Sequence, residues 1–173
     1  MATSRTSSSI KSGSAVALEH LSRQDRNSLL TGACKLQQVG MHDGPKIFLL
    51  RGKKLGLLCE NDTAEDAVLF CDAALELGAH VSHIRPGLSE LSTLLEVQDT
   101  ARVLGRLYDA VECQGMSLAV VQQMGEVAGV PVYHGIASKT HSTARLTKLM
   151  KGGGSTREKR RFLIQAGLLH TMA

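Results

Sequence analysis

Tryptophan is absent from this 173-residue chain, and only three Phe and two Tyr are present. An interior of 43% hydrophobic composition with so few rings must be built from Leu, Val, Ile, Ala and Met. No apolar run approaches the roughly 20 residues needed to cross a bilayer, which excludes a transmembrane helix. The four cysteines (Cys34, Cys59, Cys71, Cys113) form no C-x-x-C pair, and each sits among apolar neighbours. Such thiols are expected to be buried and reduced, in a cytoplasmic setting rather than a disulfide framework. The length suits one soluble domain, because a chain of this size can bury roughly 70% of its unfolded surface without staples.

Charge is present but unevenly placed. The formal net charge is +4, yet residues 145–161 carry seven bases (Arg145, Lys148, Lys151, Arg157, Lys159, Arg160, Arg161) against one acid. Residues 60–72 hold five acids (Glu60, Asp62, Glu65, Asp66, Asp72) and no Lys or Arg. A basic tail is one signature of nucleic-acid binding, but no stacking aromatics or recognition motif accompany it. A solvated helix face is the expectation.

Residues 1–14 are Ser/Thr-rich without acids and read as a disordered arm, with too little Arg for a transit peptide. Ser22-x-x-Asp25 opens a helix with Leu29, Leu30, Ala33 and Leu36 at helical spacing, and Gly40–Pro45 reads as a loop. From Lys53 onward, apolar runs alternate with helical segments. The runs are Leu55–Cys59, His80–Ile84, Ala110–Cys113 and Pro131–His134; the helices are Ala64–Leu77, Val97–Tyr108, Ser117–Ala128 and His141–Met150. Gly78, Gly87, Gly115 and Gly129 punctuate the joints. This alternation predicts an α/β fold: a four-stranded parallel sheet with helices on both faces. Ligands on such sheets bind at the carboxyl ends of the strands, so the loops beginning near Cys59, Ile84, Cys113 and Gly135 are the candidate site. Gly152–Gly154 forms a linker (151–154), and Ser155-x-x-Glu158 opens a last helix that packs back on the domain through Phe162, Leu163, Ala166 and Leu169. Gly152–Ser155 fits neither nucleotide-loop pattern.

Several segments between 15 and 150, taken in order, resemble the carbamoyl-phosphate-binding domain of the aspartate/ornithine carbamoyltransferases. They are Gly52-Lys53-Lys54-Leu55, Leu77-Gly78, Asp99-Thr100-Ala101-Arg102-Val103-Leu104, Tyr108-Asp109-Ala110-Val111, Val130-Pro131-Val132 and His141. The helix from Leu21 resembles the family's opening helix, and the last helix (155–173) its terminal one. The resemblance covers the first of two domains. It implies that Gly152–Gly154 stands where a substrate domain would be inserted. It implies no cofactor and no metal, and an oligomer: a homotrimer, or association with an intact carbamoyltransferase subunit.

The departures from the family pattern bear on function. Where the family has Ser-Thr-Arg-Thr-Arg to cradle phosphate at a helix N-terminus, this sequence reads Thr63, Ala64, Glu65, Asp66, Ala67. Glu65 and Ala67 fall at the two arginines and Asp66 at a threonine, so two cations are lost and two anions gained, and a unit pair about 4 Å apart interacts by roughly 4 kcal/mol at an effective dielectric near 20. Gln114 stands at a family arginine. In the family's His-Pro-x-Gln motif His141 is kept, with Ser142 for Pro and Ala144 for Gln. Thr100 and His141 are the retained catalytic-type positions. The loop after Leu91, which in the family reaches a neighbouring subunit's site, reads Ser92-Thr93-Leu94-Leu95. The expectation is a remodelled pocket (Thr63, Ala64, Glu65, Asp66, Gln114, His141) in a catalytically silent, assembling protein. The alternatives are a residual carbamoyltransferase completed by another chain, or a sensor of a neutral or cationic small molecule.

Two structural readings stand beside these. Thr63 or Asp62 can cap the helix while Glu65 and Asp66 offset its dipole, by about 0.3–1 kcal/mol each for exposed first-turn carboxylates in general. A cation site made by Glu60, Asp62, Glu65 and Asp66 is the other possibility, without the spacing of a calcium loop. His141, Cys59 and Cys113 can converge as zinc ligands or a thiol–imidazole pair, but buried structural thiols and a surface His141 are the expectation.

Overall fold

The computed structural model describes residues 15–40 and 48–172; the expected arm at 1–14 and most of the Gly40–Pro45 loop lie outside them. The elements are α1 (Arg23–Gly40), β1 (Lys54–Leu58), α2 (Glu65–Glu76), β2 (His80–Ile84), α3 (Leu94–Leu107), β3 (Ala110–Cys113), α4 (Leu118–Val127), β4 (Val132–His134), a 3-10 helix (Ser142–Leu149) and α5 (Thr156–Met172). The strands form one parallel sheet in the order β2-β1-β3-β4. Leu55 pairs with Val81 on one side and Ala110 on the other, and Cys113 with His134. The two central strands are buried almost throughout, whereas β2 lies at an exposed edge. The expected strands and helices are present to within a few residues, except that His141–Met150 is a 3-10 helix with His141 as its N-cap.

Strand pleating sends alternate side chains to opposite faces. Leu55, Leu57, Ala110 and Tyr133 meet Leu69, Phe70 and Ala73 of α2 and Ile164 and Leu168 of α5. Leu58, Val111, Cys113 and Val132 meet Val97, Ala101 and Leu104 of α3 and Val120, Val121 and Met124 of α4. Outside α5 lies α1, joined to it through Leu29, Ala33, Leu163 and Ala166. Gly105 permits the α3–α4 contact, since a Cβ there would lie 1.8 Å from the Ala128 carbonyl oxygen.

Capping follows the sequence at three helices. Ser22 and Asp25 exchange backbone and side-chain bonds at α1, Thr93 and Glu96 form a capping box at α3, and Ser155 and Glu158 do the same at α5. Helix α2 differs. Its N-cap is Ala64, which has no capping side chain, and Thr63 donates both its N–H and its hydroxyl to Asn61 Oδ1. Neither Thr63 nor Asp62 caps this helix. The Asn61 turn satisfies Thr63 locally, and Asp62 Oδ2 lies 3.7 Å from His83 Nδ1.

Candidate functional site at the carboxyl edge of the sheet

Two adjoining cavities open at the carboxyl ends of β1, β3 and β4. The first, about 590 Å³, is lined by Glu60, Asn61, Ala64, Glu65 and Asp66 from the β1–α2 turn, Gln114 and Gly115 after β3, and Ser138 and Lys139 after β4. The second, about 560 Å³, shares Asp66, Gln114, Gly115 and Ser138 with it and adds Glu19, His134, Ser142 and His141. Of the residues expected in the pocket, Ala64, Glu65, Asp66, Gln114 and His141 reach these walls. Thr63 is exposed beside them, and Thr100 lies on α3 away from both linings.

The acids at the α2 N-terminus are not left to water. Lys139 Nζ lies 3.0 Å from Glu65 Oε2, and its hydrogen bond and charge hold the Glu65 carboxyl below the usual range. Arg160 of α5 enters from the opposite side, its guanidinium 3.7 Å from Glu65 and 3.5 Å from Asp66. Its side chain is 7% exposed, and Nη2 also donates to the Ala137 carbonyl. The basic run is therefore not simply a solvated face. Packing of Ile164 and Leu168 on the α2 face of the sheet brings α5 alongside α2, so Arg157 reaches Asp72 at 3.0 Å and Arg161 reaches Glu76 at 3.2 Å. This pairing was not expected from the sequence, although the signal was available: an acid-only run and a base-rich run of opposite sign.

Glu112 was also missed. It is the one acid among the residues of β3, fully buried, accepting from the Ile136 N–H at 3.3 Å and from Gln114 Nε2 at 3.2 Å. Burial pushes its carboxyl up to about 8, against hydrogen bonds from the Ile136 and Ala137 backbone and Gln114 that lower it.

His141 is buried, at 6% exposure, contrary to the expected surface position. Its Nδ1 accepts from the Thr143 N–H at 3.2 Å, which ties the ring into the start of the 3-10 helix. Burial, followed by the neighbouring His134, lowers its pKa to about 4. Cys59 and Cys113 are buried as expected, and burial raises both thiols above their ordinary pKa, the reverse of what a nucleophilic thiolate needs. They belong to cores on opposite faces of the sheet, so zinc ligation with His141 has no geometric basis. No group of three His, Cys, Asp or Glu among the described residues is placed to hold a metal. The residue expected in place of a family arginine, Gln114, donates to Glu112 and lines both cavities. His80 is exposed, and His83 Nε2 bonds the Cys59 carbonyl at 2.7 Å.

Comparison with known proteins bears on this architecture. The family model for the aspartate/ornithine carbamoyltransferase carbamoyl-P binding domain matches residues 14–151. An ornithine carbamoyltransferase of Actinobacillus pleuropneumoniae is 40% identical over 101 residues, 58% of this chain and 30% of that protein. One from Cutibacterium acnes is 34% identical over 137 residues, 79% of this chain and 41% of that protein. Among solved structures, ornithine carbamoyltransferase from Pyrococcus furiosus aligns with a TM-score of 0.65 at 26% identity, covering 79% of this chain and 44% of that one. The chain thus spans less than half the length of these relatives. With the sheet order, the site edge and the family match in agreement, the chain belongs to the aspartate/ornithine carbamoyltransferase family, whose carbamoyl-phosphate-binding domain it resembles along most of its length.

Proposed function

We propose that this chain is a catalytically silent carbamoyltransferase-family domain that has given up the phosphate donor and acts by assembly. The observation that supports this is the ion-pair cluster at the α2 N-terminus. Where the family pattern holds Ser-Thr-Arg-Thr-Arg for a dianion, Glu65 stands at the first arginine, Asp66 at the threonine and Ala67 at the second arginine, and the two acids are already paired with Arg160 and Lys139. A phosphate entering the cavity would meet two carboxylates and compete for cations that are engaged. Positive charge preorganised toward a developing oxyanion does most to lower the barrier in this kind of chemistry, and its reversal removes that stabilisation. Gln114 offers hydrogen bonds but no charge in compensation.

Assembly is supported by the segment that leads into α3 and by the first turn of that helix. Leu91 on the loop is 94% exposed, and Leu94 and Leu95 in the first turn of α3 are 54% and 65% exposed; these apolar side chains lie in the stretch that the family resemblance associates with a neighbouring subunit. We read the partner as further copies of this chain in a trimer, or an intact carbamoyltransferase subunit. No helix among the described residues is long and apolar enough to cross a membrane, and the four free thiols suit the cytoplasm. Light scattering coupled to size-exclusion chromatography tests this reading: a trimer mass supports it, and an 18.5 kDa monomer that forms no complex with an intact carbamoyltransferase contradicts it. Citrulline or carbamoyl-aspartate formation, assayed with and without a chain supplying the amino-acid domain, separates silence from a residual activity that another subunit completes.

A further inference from the structure

The fold divides the basic run of residues 145–161 in two. Arg157, Arg160 and Arg161 on α5 are taken up by the acids of α2. Arg145, Lys148 and Lys151 are exposed and make no ion pair among the described residues. The sequence from 127 to 157 holds no Asp or Glu, so nothing local offsets them. A 3-10 helix has three residues per turn and a rise of about 2 Å, so residues three apart stand in one row about 6 Å apart. Ser142, Arg145 and Lys148 form such a row, and Lys151 follows directly after the C-cap Met150. Ser142 fixes where the row faces, because its Oγ donates to the Leu18 and Glu19 carbonyls at 2.9 and 3.2 Å, in the chain leading into α1.

Helix α1 adds a second row beside the first. Leu29 and Ala33 share a core with Leu146 and Met150, so the two helices lie side by side. Gln37 marks the flank of α1 that is turned to this neighbour, since its Nε2 donates to the Gly153 carbonyl at 2.6 Å. Arg23, Arg26 and Leu30 precede Gln37 by helical steps and occupy the same flank. Both arginines are exposed and likewise make no ion pair among the described residues. The acids closest in the chain are engaged: Asp25 bonds Ser22 and His170, and Glu158 is held in the capping box of Ser155. Lys35, two residues before Gln37, lies about 200° round the helix and so on the opposite flank.

We propose that this face, with Arg23, Arg26, Arg145, Lys148 and Lys151 as its contacts, binds the sugar–phosphate backbone of a double-stranded nucleic acid. The cations stand in two rows on packed helices with no unengaged acid between them, which suits an unbroken line of phosphates. The chain's pI of about 9.0 agrees with such a partner. Neither α1 nor the 3-10 helix carries an aromatic residue, so unstacked bases find no platform and a duplex is favoured over a single strand. Val39 and Leu149 are the exposed large apolar residues of the two helices, one on each, which falls short of the apolar stripe that a membrane surface uses. The face owes nothing to the acidic cradle or to the first turn of α3.

Fluorescence anisotropy of the full chain with a labelled DNA duplex of about 20 base pairs tests the proposal, with salt as the variable. Each phosphate neutralised adds about −0.9 to the slope of log affinity against log salt, so five contacts give about −4.5 and a loss of roughly 500-fold between 50 and 200 mM. Arg26→Gln, Arg145→Gln and Lys148→Gln, all on exposed positions, should each flatten the slope by about 0.9 with unchanged circular dichroism. Lys35→Gln should leave it as it is. Duplex RNA of the same length should bind as well, because phosphates rather than base edges are contacted. The proposal is overturned by absence of saturable binding at 50 mM salt, or by a slope that Lys35→Gln flattens as much as Lys148→Gln does. Tighter binding of polyglutamate or of phosphatidylserine vesicles than of either duplex also overturns it, and would assign the face to an acidic protein or a membrane.

Discussion

Replacing Arg160 by methionine is the most informative single perturbation, because it keeps the aliphatic stem and deletes the guanidinium. In the folded chain that group is 7% exposed, donates to the Ala137 carbonyl and lies 3.5 Å from Asp66 Oδ1. Orphaning a buried carbonyl costs about 1–3 kcal/mol. The Asp66 side chain is 37% exposed, so its pair is screened and adds only about 0.5–1 kcal/mol. The sum is about 1.5–4 kcal/mol, which for a domain of this size corresponds to roughly 4–12 °C in Tm at about 3 °C per kcal/mol. Differential scanning calorimetry of wild type, Arg160→Met, Asp66→Asn and the double variant closes the cycle. The double variant should lose about 0.5–1 kcal/mol less than the two single losses added together. A Tm within 2 °C of wild type for Arg160→Met, or strict additivity, would refute the reasoning that α5 neutralises the acidic helix start.

Glu112 gives a pH prediction whose sign is fixed. Its folded pKa is raised to about 8 by burial, so between the ordinary carboxylate range and 8 the folded state holds the extra proton. Its contribution to stability is complete below the unfolded pKa and is lost as pH rises toward 8, at about 1.4 kcal/mol per pH unit for one proton. Urea midpoints measured from pH 6.5 to 8, above the range in which the neutral, buried His141 contributes an opposite slope, should fall with pH, and Glu112→Gln should flatten that slope; a slope unchanged in the variant contradicts the assignment. Gly105→Ala should lower Tm by several degrees or prevent folding, because the new Cβ meets the Ala128 carbonyl at 1.8 Å, whereas a neutral result in a thermal melt would place the α3–α4 contact elsewhere. Leu94→Glu with Leu95→Glu should reduce the solution mass by light scattering while leaving the far-ultraviolet circular dichroism intact; an unchanged mass removes the first turn of α3 from any interface.

The sheet was legible because its signals are local. Alternation of short apolar runs with helical periodicity, glycines at helix ends such as Gly78 with φ +83°, and Ser/Thr-x-x-acid boxes each act within a few residues. The site was legible only where the chain positions it directly: Glu65 and Asp66 occupy the first turn of α2 by sequence order alone. Arg160 pairs with Asp66 across 94 residues, and only packing of α5 beside α2 creates that contact. The capping error at Thr63 arose from a competitor just upstream, Asn61, whose side chain claims both Thr63 donors. Burial of His141 depends on Ser142 tying the segment at Leu18 and Glu19 over the β4 end, a link of 123–124 residues that no local pattern announces. Glu112 did leave a trace, since a carboxylate in a strand covered on both faces must be satisfied or protonated.

Calorimetric titration of the purified chain with carbamoyl phosphate bears most directly on the inverted, self-paired cradle. The expected result is no saturable heat at millimolar donor, with Glu65→Arg and Asp66→Arg together required before any appears. Saturable uptake by the unmodified chain, weakened by Thr63→Ala, would contradict it.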